Sequence, residues 1–78
     1  MAKTRLPTEL RKLGDNIRRL RTSMEMSQER LAELADINAR TLRRIEAGEI
    51  NASITAIARI RGALGCKWDD LSPAEWKQ

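Results

Sequence analysis

Seventy-eight residues, fifteen basic against eleven acidic, give a net charge of +4 and room for one small domain, too small to enclose a deep catalytic cleft. With no His and a single Cys, the chain lacks the usual zinc, Ser-His and Cys-His sets and any internal disulfide. Apolar content of 41% without Phe or Tyr suits an aliphatic helical core, so the predicted class is all-α, a compact bundle of about five short helices.

Residues Met1 to Pro7 carry Lys3 and Arg5 and read as a basic arm, either a flexible, frayed terminus or a segment laid along phosphates. From Thr8, a candidate N-cap, Leu10, Leu13, Ile17, Leu20 and Met24 recur at helical spacing and form one apolar stripe. Arg11, Lys12, Arg18 and Arg19 fill the remaining face. The charge is uneven: residues 1–21 hold seven basic and two acidic side chains, whereas residues 65–78 hold two and three. Such an excess suits a polyanion, most commonly nucleic acid, although anionic lipid and acidic proteins also meet basic surfaces. No apolar run approaches the roughly 20 residues of a membrane span, and the amino terminus has no apolar leader core. The expectation is a soluble cytoplasmic protein with no membrane partner.

Ser27 precedes Gln28 and Glu29 and then Leu31, Ala32, Leu34 and Ala35, which marks a second helix. Asp36 and Ile37 break the rhythm, and Asn38 offers another N-cap. Leu42 and Ile45 then stand at i,i+3 spacing before Gly48 stops the run. Two helices joined by a tight turn form the arrangement that places the second helix in a major groove. At roughly 100° per residue, Leu42 and Ile45 point one way, Arg40 and Arg44 nearly the opposite way, and Arg43 lies on the flank.

On an isolated helix such charges are ordinarily a solvated face. The two-helix context favours recognition instead. Arg40 and Arg44 are then the candidates for base edges, guanine O6 and N7 above all, with Ala39 placed for a thymine methyl. Asn38, Thr41 and Arg43 are candidates for phosphates, which fix the register. Gln28 stands at the first free amides of its helix, a position that favours an anion.

After a loop at residues 49–52, Ser53 caps a fourth helix whose Ile54, Ile57, Ile60 and Leu64 are expected to complete the core. Arg61 follows this stripe and either snorkels to solvent or meets an acidic partner, next to Gly62, a poor helix former. Gly65 ends the helix, Trp68 to Leu71 reads as a short helical turn, and Ser72-Pro73 starts another. Trp68 is expected to close the core; Trp76 is either a lid on it or an anchor in a self-interface. Cys66 reads as a small buried hydrophobe.

Jointly, Gln28, Leu31, Ala32, Ile37, Leu42, Ile45, Glu46 and Gly48, led in by Ile17, Arg18, Leu20 and Arg21, resemble the phage-repressor and Cro type of helix-turn-helix, the XRE-like family. The resemblance spans roughly Leu13 to Leu71 and implies a lambda-repressor-like fold. It also implies a structural ion pair between Arg21 and Glu46, which removes Arg21 from the DNA-contact set, and a phosphate contact for the Gln28 side chain. The chain departs from the family at Asp36, where the turn usually has Gly because φ is positive there. Residues 1–78 then form a single helix-turn-helix domain, with the motif at 27–48 and a candidate dimer interface at 65–78.

The function implied is a sequence-specific double-stranded DNA-binding regulator of transcription that holds a palindromic operator as a homodimer, without cofactor, metal or catalysis. A restriction-modification controller, a phage repressor without a second domain and a chromosomal regulator all fit. Controllers are nearest in length and in how the last helices end the chain. The alternative is an antitoxin or adaptor whose main partner is another protein, such as a toxin, a reading motivated by Arg61 and Trp76. An enzyme is remote: the adjacent Asp69 and Asp70 do not face each other on a helix, and no base accompanies them.

Overall fold

The computed structural model describes residues 6–76. Among them the chain forms α1 (Leu6–Ser23), α2 (Gln28–Ala35), α3 (Ala39–Glu46), α4 (Ile54–Leu64) and α5 (Trp68–Leu71), then a single 3₁₀ turn at Ala74–Trp76, with no strand. The all-α reading holds. Helix α1 begins two residues before Thr8, with Pro7 in its first turn, where a missing N–H costs no intrahelical bond. Of the arm expected over residues 1–7, residues 1–5 lie outside the described residues, and Leu6 and Pro7 are helical.

Local hydrogen bonds start and stop the helices. The Ser27 hydroxyl accepts from the Arg30 N–H at 3.0 Å, Asn38 Oδ1 from the Arg40 N–H at 2.7 Å, and the Ser53 hydroxyl from the Ala56 N–H at 3.1 Å. Each bond satisfies an amide that the helix leaves unpaired. Helices α1 to α4 also close alike, through a left-handed residue whose own N–H and the next N–H both turn back to helix carbonyls. In chain order these bonds are Glu25 to Thr22 with Met26 to Arg21, Asp36 to Glu33 with Ile37 to Ala32, Gly48 to Ile45 with Glu49 to Arg44, and Gly65 to Gly62 with Cys66 to Arg61.

The four left-handed residues have φ of 57°, 56°, 73° and 66°. Asp36 adopts the positive φ that the resemblance implied. Glu25 was not anticipated, because nothing in Met24-Glu25-Met26 signals a left-handed backbone. An L-residue with a Cβ is strained in this region by about 1 kcal/mol, and both side chains are exposed, with no burial to offset the strain. Glu25→Gly and Asp36→Gly are each expected to stabilise the fold by about 0.5–1 kcal/mol, net of glycine's greater freedom when unfolded. Thermal melts showing no gain for either variant would contradict the strain argument.

The core is aliphatic: Leu13 and Ile17 of α1, Leu31, Ala32 and Ala35 of α2, Leu42 and Ile45 of α3, Ile57, Ile60 and Leu64 of α4, and Leu71 of α5. In the α1 stripe Leu10 and Leu20 are half-buried, and Met24, past the last helical turn, is exposed. Two expectations need correction. Ile54 is 72% exposed, because as the first residue of α4 it lies roughly 90° from the mean direction of Ile57, Ile60 and Leu64. Trp68 does not close the core: it is exposed at the first position of a four-residue helix, and the fully buried Leu71 and Pro73 close that end instead.

α2 packs on both α3 and α4, while α1 crosses α3. The α1–α3 approach is set by Gly14, which is buried. A methyl carbon there would press on the Glu46 carbonyl oxygen and lie 2.5 Å from that of Ile45. The two helices therefore meet backbone to backbone, with no room for a side chain between them.

Candidate nucleic-acid interface

Helix α3 is divided by its sequence into a holding face and a free face. Leu42, Ile45 and Glu46 are buried, Ala39 and Thr41 are half-buried, and Arg40, Arg43 and Arg44 are exposed. The apolar pair at i,i+3 presses the helix onto the core, so the period of 3.6 turns the arginines outward. Asn38, at the N-cap, is exposed at the start of the same free face. Its Oδ1 is taken by the cap, which leaves the two hydrogens of its NH₂ group outside that bond.

The holding face carries one charged residue, Glu46, and its carboxylate is the node that fixes α3. Arg21 Nε donates to Oε2 at 2.7 Å and Nη2 to Oε1 at 3.0 Å, with both residues buried. Gln28 Nε2 donates to Oε1 at 2.9 Å, and Arg21 Nη1 reaches the Met26 carbonyl oxygen at 2.9 Å. The end of α1, the loop after it, the start of α2 and the end of α3 thus share one set of charge-assisted bonds. A two-point guanidinium–carboxylate contact also restricts rotation, because both groups are planar. The Arg21–Glu46 pair agrees with the resemblance. The Gln28 bond was not foreseen: it depends on how α2 packs on α3, and no local spacing signals it.

Gln28 is therefore half inside the site. One N–H of its amide is committed to Glu46, and the second, with the backbone N–H at the first position of α2, is what it has to offer an anion. Among the arginines, Arg43 Nη1 stands 3.6 Å from Glu29 Oε2 and Arg44 Nε 3.7 Å from Glu49 Oε1. Arg40 has no acidic partner among the described residues. The structure thus brings Asn38, Ala39, Arg40, Thr41, Arg43 and Arg44 onto one short helix and its cap, and sets Gln28 beside it at the α2 terminus.

Other chemistry-bearing groups lie apart. A shallow groove along α1 is lined by Lys12, Asp15, Asn16, Arg18, Arg19, Pro73 and Ala74, and its cations are already engaged: Lys12 with Glu75, Arg18 with Asp15 and Arg19 with Asn16. Cys66 is half-buried against the core rather than fully buried as expected, and burial, aided by the Asp70 carboxylate, pushes its thiol above its ordinary pKa, so it stays protonated at neutral pH. Among the described residues no helix is long and apolar enough to cross a membrane.

Two short helices joined by a left-handed turn, the second held by its apolar face and presenting arginines outward, define the helix-turn-helix class. The chain matches the XRE-type helix-turn-helix family model over residues 17–71 and belongs to that family. It is similar in structure to the restriction-modification controller protein C.AhdI from Aeromonas hydrophila, with a TM-score of 0.79 and 33% sequence identity, over 82% of this chain and 97% of that one. A search of curated proteins found no match. The family and this likeness mark the chain as a DNA-binding transcriptional regulator.

Proposed function

We propose that the chain binds a palindromic double-stranded operator as a homodimer and controls transcription by occupancy rather than by catalysis, working in the cytoplasm at the nucleoid. The observation that carries this reading is the division of α3, with Leu42, Ile45 and Glu46 buried and Arg40, Arg43 and Arg44 outward. An eight-residue helix is about 12 Å long, comparable with the width of a major groove, and covers only a few base pairs. Two copies on half-sites about one helical turn apart supply the missing specificity.

In this arrangement Arg40 and Arg44 read guanine edges and Ala39 meets a thymine methyl. Gln28, Asn38, Thr41 and Arg43 hold phosphates, Gln28 and Asn38 through the amide hydrogens that their internal bonds leave over. The similarity to a controller protein over 97% of that chain supports a place in a restriction-modification operon. The antitoxin reading rested on Arg61 and Trp76. Arg61 lies 5.5 Å from the Trp68 ring centroid and donates to the Cys66 carbonyl oxygen, and Trp76 Nε1 donates to Glu9, so neither supplies a specific observation for a toxin-like partner.

The test is a titration against DNA from upstream of the protein's own gene, at low and near-physiological salt, with unlabelled random duplex as competitor. Salt-sensitive binding that survives competitor, at two chains per site, is expected. Binding abolished by competitor at both salts would defeat the reading. Arg40→Ala is expected to weaken operator binding by about 1–3 kcal/mol and random-duplex binding by much less. Equal losses on both would remove the base-reading role.

A further inference from the structure

We propose that Glu29 and Glu49 restrain Arg43 and Arg44 and thereby suppress indiscriminate binding to duplex DNA. The inference rests on the reading that the free face of α3 meets DNA. Each carboxylate stands beside one arginine, at 3.6 Å for Arg43–Glu29 and 3.7 Å for Arg44–Glu49, whereas Arg40 between them and the N-cap has no such partner among the described residues. The two glutamates come from different segments, Glu29 from α2 and Glu49 from the loop after α3. Glu29 lies in the first turn of α2, where the helix dipole favours its charge, and Glu49 is tethered by its backbone N–H to the Arg44 carbonyl oxygen at 2.9 Å.

All four side chains are at least half exposed, between 51% and 73%, so neither pair contributes much to stability. Their effect is on the partner. A phosphate approaching Arg43 or Arg44 meets a carboxylate already there and must displace it or bear its repulsion. Glu29 also carries its negative charge in the first turn of α2, beside the anion-attracting end that a phosphate near Gln28 would use. Random duplex offers only phosphates in exchange for both carboxylates, whereas an operator repays their displacement with base contacts through Arg40 and Arg44. The carboxylates thus lower both affinities while costing the non-specific one a larger share, which is how a repulsive element raises discrimination.

The experiment compares the intact protein with the Glu29→Gln/Glu49→Gln double variant on random-sequence duplex across a salt series. Asp69→Asn, an exposed change on α5, removes one charge where the double variant removes two, so twice its effect is the control for net charge. The double variant is expected to bind random duplex roughly tenfold more tightly at low salt. Its logarithmic salt dependence is expected to be steeper by about 0.9 for each arginine released. The Asp69→Asn variant is expected to change neither by more than about twofold. A double variant whose logarithmic affinity gain and change in salt slope are no more than twice those of Asp69→Asn would overturn the proposal. These measurements need no operator, so they decide the proposal even where the operator titration fails; where it succeeds, the ratio of operator to random affinity is expected to fall in the double variant.

Discussion

Gly14→Ala is expected to destabilise the protein by about 3 kcal/mol or more, although on an open helix surface the same change stabilises. The added carbon meets the Ile45 carbonyl oxygen at 2.5 Å and presses on that of Glu46, and both neighbours are backbone atoms that cannot rotate away. Helix α1 must lift off α3, which loosens Leu13 and Ile17 against Leu42 and Ile45 and strains the Arg21–Glu46 contact as well. Gly62 supplies the internal control, since a methyl there meets nothing within 4 Å. Gly62→Ala is expected to gain about 0.5–1 kcal/mol. Urea denaturation of the two variants reads both signs, and a Gly14→Ala protein as stable as the parent would refute the backbone-to-backbone packing of α1 on α3.

Glu46→Ala is expected to cost about 3–5 kcal/mol, because it leaves the Arg21 guanidinium buried without its counter-charge and strips Gln28 of its acceptor. A domain of this size has a total stability of order 4–12 kcal/mol, so the variant is expected to melt far below the parent and, at the lower end, to be unfolded at 37 °C. Replacing both partners, Arg21→Met with Glu46→Leu, is expected to recover most of the loss, since an apolar pair carries no desolvation penalty. The double-mutant cycle separates the two contributions. A loss under about 1 kcal/mol for Glu46→Ala would mean that the node is solvated and weak.

How much of this was legible in the sequence depends on the separation over which each feature is decided. The caps at Ser27, Asn38 and Ser53 act on amides two or three residues away, and all three were read correctly. The outward set of Arg40, Arg43 and Arg44 follows from helical period alone. The Arg21–Glu46 pair did not: it joins residues from two helices and was available only through the family resemblance. Gly14 carried no local sign, because what forbids a side chain there is the backbone at the end of α3.

Glu25 escaped for a different reason. Any residue can be forced left-handed when two backbone bonds close a helix, and its side chain need not announce it. Ile54 was misplaced because the core stripe was extended to a residue roughly 90° off its direction, and Trp68 because period fixes direction but not reach. At the first position of a helix there is no preceding turn to carry the core past the side chain.

The division of α3 has an evolutionary consequence. The two arginines proposed to read base edges, Arg40 and Arg44, are exposed and take no part in the core, while Leu42, Ile45 and Glu46, which hold the helix in place, are buried. On the proposed reading, substitution at Arg40 or Arg44 changes the preferred base sequence without refolding the scaffold. A lineage of such proteins can acquire new operators one residue at a time, each intermediate still folded and still bound to DNA by charge. Against C.AhdI, 33% identity with a TM-score of 0.79 shows the same framework retained while most side chains differ.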